Sequence, residues 1–381
     1  MRVLFVHPSP HLTGAGRMLA LLANHLRRRG HETLVVLPEE GPLTRVHAED
    51  LGHIIFIPMT PLRRSPPAIA RHLLAFPETV RRLEQLIRAW GPDLVHVNGV
   101  YTLWAGIAAR RVRVPCLYHV HEARESYPRW LYRTWQEMVA RRASRIILVH
   151  AHLQDAWIRF AARALVIENG VDVERIRARV RASSTVELRR AWGDFRPLIL
   201  CPSHIMPGKN QRLLVRAAPM IFRHLPDAGI VFLGSTHKRT ANDAYRRELR
   251  ELAHALGIAA RIRFTDAPED AHAAYGVADL VVSTSPVESF GLIPLEGLAA
   301  GKPVVSVRTA IAEQLQARGY AVRAVSSTDP AELARAVVET FATSPRTGAI
   351  AFPDEYRAER VVARFERVYA EMLAQRWEAS S

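Results

Sequence analysis

The feature that most constrains this chain is an alternation, run through twice, of short apolar segments with amphipathic helical stretches. In the first series Val3–His7, Thr33–Leu37, Ile54–Ile57, Leu94–Val97, Cys116–His121, Ile146–Val149 and Ala164–Ile167 read as strands. Arg17–Arg29 carries Leu19, Leu22, Ala23 and Leu26 at helical spacing, and further helices are expected near 67–90, 101–112, 130–142 and 151–161. A second series opens at Leu198–Pro202, with strands at 229–233, 261–265, 279–283 and 303–307. Its helices are expected at 209–224, 241–256, 295–300 and 330–342, and Glu355–Gln375 is a final amphipathic helix. Short apolar runs separated by helices predict parallel sheets covered on both faces.

Two such series predict two α/β domains facing each other across a cleft, and 381 residues is a length that suits two cores. Asn169-Gly170-Val171-Asp172 is a turn signal ending the first domain, 1–172. The Arg-rich stretch 173–189 reads as a polar linker, and 190–354 as the second domain. Ligands of open α/β sheets bind outside the carboxyl ends of the strands, so chemistry is sought there. No window approaches the roughly 20 apolar residues that span a bilayer. The start of the chain lacks the pattern of an export signal, so the expected location is cytoplasmic. Cys116 and Cys201 both sit in strand-like runs and read as small buried hydrophobes.

Charge is unevenly placed. Residues 1–190 carry 29 arginines and no lysine against 16 acids, which accounts for +13 of the formal +15. Such a field favours polyanions: phosphorylated substrates, an anionic membrane surface or nucleic acid. No nucleic-acid-binding motif accompanies it.

The most informative segment is Glu288-Ser289-Phe290-Gly291-Leu292-Ile293-Pro294-Leu295-Glu296, between the strand at 279–283 and a helix. Pro294 suits a first helical turn, where its missing N–H costs nothing. Gly291 lets backbone approach a ligand closely. Free amides before a helix form an anion cradle. Eight residues apart, with the break between them, the two acids would place Glu288 in the loop and Glu296 on the helix, both facing one ligand. Carboxylates beside a phosphate cradle suit sugar and ribose hydroxyls. The alternatives are a solvated loop acid and a helix-start acid aided by the dipole.

These residues, continued by Ala299-Ala300-Gly301-Lys302-Pro303-Val304-Val305, resemble the signature of the family-4 retaining glycosyltransferases (group 1) of the GT-B fold, built from two Rossmann-like domains. The resemblance implies that Glu288 contacts the donor hexose, that the amides of Ser289, Phe290, Gly291 and Leu292 meet sugar and phosphate, and that Glu296 holds the ribose. Gly14 and Gly16, in Thr13-Gly14-Ala15-Gly16-Arg17, resemble the family's glycine loop near the donor diphosphate. The terminal helix, with 355–381, would pack back onto the first domain. Where the family has an arginine followed five residues later by a lysine, this chain has His204 and Lys209, so the expected diphosphate clamp carries an imidazole.

His119-Val120-His121-Glu122 ends a strand where the family places a histidine near the anomeric centre. Residues two apart on a strand face the same way, which makes His121 and His119 both candidates. A metal site is the competing reading, yet nothing supplies a third ligand, and no Asp-x-Asp pair is present to bridge a diphosphate through a cation. No metal and no cofactor is therefore expected; a nucleotide-diphosphate sugar is the donor substrate. Arg63-Arg64, Arg71-His72, Arg81-Arg82 and Arg88 punctuate an apolar segment, resembling the basic face by which relatives sit on the inner surface of anionic membranes. The function implied is transfer of a sugar, with retention, to a hydroxyl of a lipid-linked or saccharide acceptor, in cell-surface polysaccharide or glycolipid synthesis. A sugar-nucleotide epimerase or phosphorylase on the same fold, and a non-enzymatic polyanion-binding protein, are the alternatives.

Overall fold

In the computed structural model, thirteen strands among the described residues form two parallel sheets. It describes all residues except 61–65, 127, 182–183, 237–239, 267–270, 327, 344–349 and 379–381. Arg63 and Arg64 of the expected basic face lie outside the described residues. The first sheet holds β1 (Arg2–Val6), β2 (Glu32–Leu37), β3 (His53–Phe56), β4 (Leu94–Asn98), β5 (Cys116–Val120), β6 (Arg145–Leu148) and β7 (Ala164–Val166), in the order β3-β2-β1-β4-β5-β6-β7. The second holds β8 (Leu198–Pro202), β9 (Gly229–Leu233), β10 (Ile262–Thr265), β11 (Leu280–Ser283), β12 (Val304–Val307) and β13 (Val322–Val325), in the order β10-β9-β8-β11-β12-β13.

Each sheet reverses its winding beside its first strand. Val3 of β1 pairs with Thr33 on one side and Leu94 on the other; Ile199 of β8 lies between Ile230 and Leu280. The crevices outside the carboxyl ends of β1 and β4, and of β8 and β11, are where such sheets bind ligands. The central strands β1, β4, β5, β9, β11 and β12 are almost wholly buried, as their unbroken apolar runs require. Cys116 in β5 and Cys201 in β8 are buried free thiols, and burial pushes the Cys201 thiol up to about 11.

The chain divides into two compact units, Met1–Gly170 with Glu355–Ser381, and Val171–Asp354. The stretch 173–189, read from its arginines as a polar linker, is largely helical and falls within the second unit. Val173–Val180 and Ser184–Trp192 are helices of the second unit, with Val173, Ile176 and Trp192 buried. Asp172 caps the first of them, its Oδ1 accepting from the Arg175 amide at 2.9 Å. The apolar pair three residues apart was masked by the arginines around it. Strand β13 was also unexpected, since Arg323 points outward and leaves no apolar run. So were the helices Pro42–Leu51, Ala271–Val277 and Ala310–Ala317, all short and weakly patterned.

The terminal helix, Ala358–Glu378, belongs to the first unit. Its Val361, Val362, Phe365, Val368, Tyr369 and Met372 complete the core formed by β1 and the helix Gly14–Arg28. At its outer edge the Glu366 carboxylate accepts from Arg29 Nε and His31 Nε2, both at 2.8 Å. Glu366→Ala is expected to lower first-unit stability by about 1 kcal/mol, because Arg29 is half-exposed and rehydrates readily. A denaturant midpoint unchanged from the parent would contradict this.

Candidate active site

In the second unit the site is assembled at the carboxyl ends of β8 and β11. After β8 the chain runs through Ser203 and His204 to a tight turn, Pro207–Lys209, and then Asn210 in the left-handed region (φ +51°) before the helix Gln211–His224. The buried Gln211 amide holds this loop, donating to Ser203 Oγ (3.0 Å) and the His204 carbonyl (2.8 Å). Gly234, following β9, allows the close approach that completes it: a Cβ there would lie 2.2 Å from the Ser203 carbonyl oxygen. His204 Nδ1 lies 3.4 Å from Ser235 Oγ. Thr284, just past β11, donates its hydroxyl to the Lys209 carbonyl at 2.7 Å, so the two loops are tied to each other.

That tie places the Lys209 ammonium against Glu288, Nζ to Oε1 2.5 Å, with both side chains about three-quarters buried. The remaining segment follows the expected break. Phe290 is buried, Ser289 and Leu292 are half-buried, and Gly291 adopts φ +91°, where an added Cβ would lie 3.3 Å from Ile311 Cγ2 and 3.6 Å from Glu288 Cβ. Gly291→Ala is expected to cost about 1–2 kcal/mol through that left-handed backbone. A melting temperature equal to the parent's would show that the loop relaxes instead.

Glu296 sits on the helix Ile293–Ala299 and is 3% exposed. Its Oε2 accepts from the buried Tyr275 hydroxyl at 2.7 Å, and its Oε1 lies 3.7 Å from His272 Nε2. Both partners come from the helix Ala271–Val277, which the sequence reading missed. The two acids thus take separate partners, Glu288 a lysine and Glu296 a tyrosine with a histidine.

In the first unit, residues at the ends of β1, β4 and β5 converge. Asn98 is the centre: Nδ2 donates to the Ala15 carbonyl (3.0 Å) and to His7 Nδ1 (3.0 Å), while Oδ1 lies 2.7 Å from His121 Nε2. The Ala15 carbonyl can only accept, so it sets the orientation of the Asn98 amide. Oδ1 then accepts from His121, which assigns His121 the Nε2–H tautomer. Through the same bond the glycine loop is fastened to the histidine. Thr13 caps the helix Gly14–Arg28 by accepting from the Gly16 amide at 3.2 Å. Gly14 is exposed and Gly16 buried.

His119 and His121 do face the same way, with ring centroids 4.0 Å apart. Only His121 reaches the surface; His119 is fully buried behind it and cannot itself meet a ligand in this arrangement. Burial pushes His119 and His121 well below the ordinary histidine range, and His7 down to about 4. The neighbouring Glu122 moves the other way, up to about 7, because burial outweighs the amides of Val100 (3.0 Å) and His121 (3.1 Å) that its Oε2 accepts.

Two Rossmann-like units, each built on a parallel sheet, are the architecture of the GT-B fold. Residues 12–175 match the family described as Glycosyltransferase Family 4, and residues 196–343 match Glycosyl transferases group 1. Together these matches take in most of the chain, which belongs to this glycosyltransferase family. It is 26% identical to a GDP-mannose-dependent alpha-(1-6)-phosphatidylinositol monomannoside mannosyltransferase of Mycolicibacterium smegmatis, over 75% of this chain and 78% of that protein. It is 27% identical to a sulfoquinovosyl transferase of Arabidopsis thaliana, over 80% of this chain and 59% of that protein. The fold is shared with the crystal structure of Anabaena HepE in complex with UDP and glucose, with TM-score 0.81, 22% identity, and coverage of 97% of this chain and 100% of that one. Among the described residues no helix is long and apolar enough to cross a membrane.

Proposed function

We propose that the chain transfers a hexose, with retention of anomeric configuration, from a nucleotide-diphosphate sugar to a hydroxyl of a lipid-linked or saccharide acceptor. The observation that carries this reading is the pairing of Lys209 with Glu288 at the ends of β8 and β11, in the same unit as the buried Glu296. One unit thereby holds a cation for the diphosphate, an acid for the hexose hydroxyls and an acid for the ribose. Lys209, the imidazole of His204 and backbone amides would neutralise the diphosphate without a bridging cation. The relatives' names agree in substrate class: one uses GDP-mannose on a phosphatidylinositol glycolipid, and HepE binds UDP-glucose.

The acceptor hydroxyl attacks the anomeric carbon on the face the diphosphate leaves. The carbon–oxygen bond to phosphate breaks, the new glycosidic bond forms, and a leaving phosphate oxygen takes the acceptor proton. His121, fixed by Asn98, positions the donor sugar, and no protein nucleophile is needed. The arginine excess of residues 1–190 suits an acceptor bearing phosphate, and an anionic membrane surface, in glycolipid or cell-surface polysaccharide synthesis. A thermal-shift series with UDP-, GDP-, ADP- and TDP-sugars, on the parent and on Glu296→Ala, tests the donor assignment. One nucleotide series should stabilise the parent and not the variant; stabilisation by none would end the reading. Release of nucleotide at full rate without any acceptor would favour an epimerase or a hydrolytic activity instead.

A further inference from the structure

Behind His121 lies a line of buried polar groups that the reaction scheme does not use. Tyr369, on the terminal helix, places its hydroxyl 2.6 Å from His96 Nδ1. His96 Nε2 lies 3.3 Å from His119 Nδ1, and the His119 ring lies against the His121 ring, tilted by 46° with centroids 4.0 Å apart. Tyr369, His96 and His119 are each fully buried. Burial holds the tyrosine protonated and both histidines neutral.

A neutral imidazole has one donor and one acceptor, so both bonds of this chain must run the same way. Either Tyr369 donates to His96 Nδ1 and His96 Nε2–H to His119 Nδ1, or both run in reverse. Each direction leaves one buried proton unbonded, on His119 Nε2 or on the Tyr369 hydroxyl. The phenol is a stronger acid than an imidazole N–H and the imidazole nitrogen a stronger base than a phenol oxygen, which favours donation from Tyr369 and a proton on Nε2 of both histidines. Phe5 and Phe365 pack on the His96 ring from its sides (centroids at 4.9 and 5.7 Å), which supply shape but no direction.

We propose that Tyr369 and His96 are positioning residues for His121: the chain from Tyr369 through His96 fixes the ring of His119, the wall against which His121 stands. Asn98 holds the other edge of His121, at Nε2. The proposal rests on His121 serving the transfer reaction.

The test uses full-length chain and three substitutions. His96→Phe keeps a ring between Phe5 and Phe365 but breaks the chain, and should lower kcat at least tenfold with the donor KM within about twofold. His96→Gln keeps an acceptor for Tyr369 and a donor for His119, and should hold kcat within about threefold of the parent. Tyr369→Phe should lower kcat severalfold. Imidazole nitrogen-15 spectra of the parent should show His96 and His119 protonated on Nε2 only, with His119 losing that purity in Tyr369→Phe. Parental kcat in both His96→Phe and Tyr369→Phe, or His96→Gln as impaired as His96→Phe, would overturn the proposal. So would His119 protonated on Nδ1 in the parent. Should His96→Phe fail to fold, Tyr369→Phe and the parental spectra decide. A parent that transfers no sugar refutes the functional reading instead, while the spectra still report whether the chain exists.

Discussion

Glu288→Gln is expected to slow sugar transfer by about 100- to 1,000-fold while tightening the binding of free nucleoside diphosphate. The loss follows from removing a preorganised polar group at the reacting sugar, an effect of that size where charge develops in a shielded site. The gain follows from the pairing with Lys209. At 2.5 Å, and about three-quarters buried on each side, the carboxylate neutralises the ammonium that the proposed function assigns to the diphosphate. A carboxamide leaves that ammonium uncompensated, and an anion then restores the balance. Initial rates with saturating donor, set beside the inhibition constant of the nucleoside diphosphate, separate the two effects. Parallel weakening of both would show that Glu288 merely shapes the loop. Lys209→Ala should do the reverse for the diphosphate, weakening its binding.

The second large effect is acid sensitivity of the first unit. Burial holds His7 at about 4, His96 at about 3, and His119 and His121 well below their ordinary 6.5. A histidine with a lowered folded-state pKa takes up its proton on unfolding. Its stabilisation is present above 6.5 and is lost as the pH falls toward the folded value. Glu122, raised from 4.5 to about 7, acts with opposite sign and costs stability as the pH rises through that window. Below 6.5 four imidazoles therefore oppose one carboxyl, and the first unit should lose stability steeply as the pH falls from 6.5 toward 4.5. Domains are only marginally stable, so acid unfolding of this unit is the expected outcome. A circular-dichroism titration measures this directly. A midpoint below pH 4 would mean that the histidines accept protons in the folded state. Glu122→Gln, which can still accept the Val100 and His121 amides, should raise stability at pH 8 by about 3 kcal/mol.

Much of this was legible beforehand, and what was hidden has a common cause. Glu288, Gly291, Glu296 and Lys209 carry their chemistry in residue type and short spacing, and the strand alternation gives the sheets almost entire. Tyr275 and His272 were missed because Ala271-His272-Ala273-Ala274-Tyr275 has too little apolar contrast to announce a helix, and its partner Glu296 lies 21 residues away. Asn98 and His7 could have been noticed as polar residues closing β4 and β1 at the switch point. His96 could not: it alternates within an apolar strand, and its partner Tyr369 stands 273 residues on. His119 was read as a second candidate for the reacting sugar because strand periodicity assigns a face, but periodicity does not say how deep on that face a ring will lie.

The terminal helix also sets the order in which the protein can be made. The seven strands of the first unit leave the ribosome first, yet their core lacks Val361, Phe365 and Tyr369 until the whole of Val171–Asp354 has followed. The second unit is continuous in sequence and can close as it emerges. Domains usually mature from the amino end during synthesis. Here the earlier-made unit finishes last, and through that interval it presents an open apolar groove for a chaperone to cover.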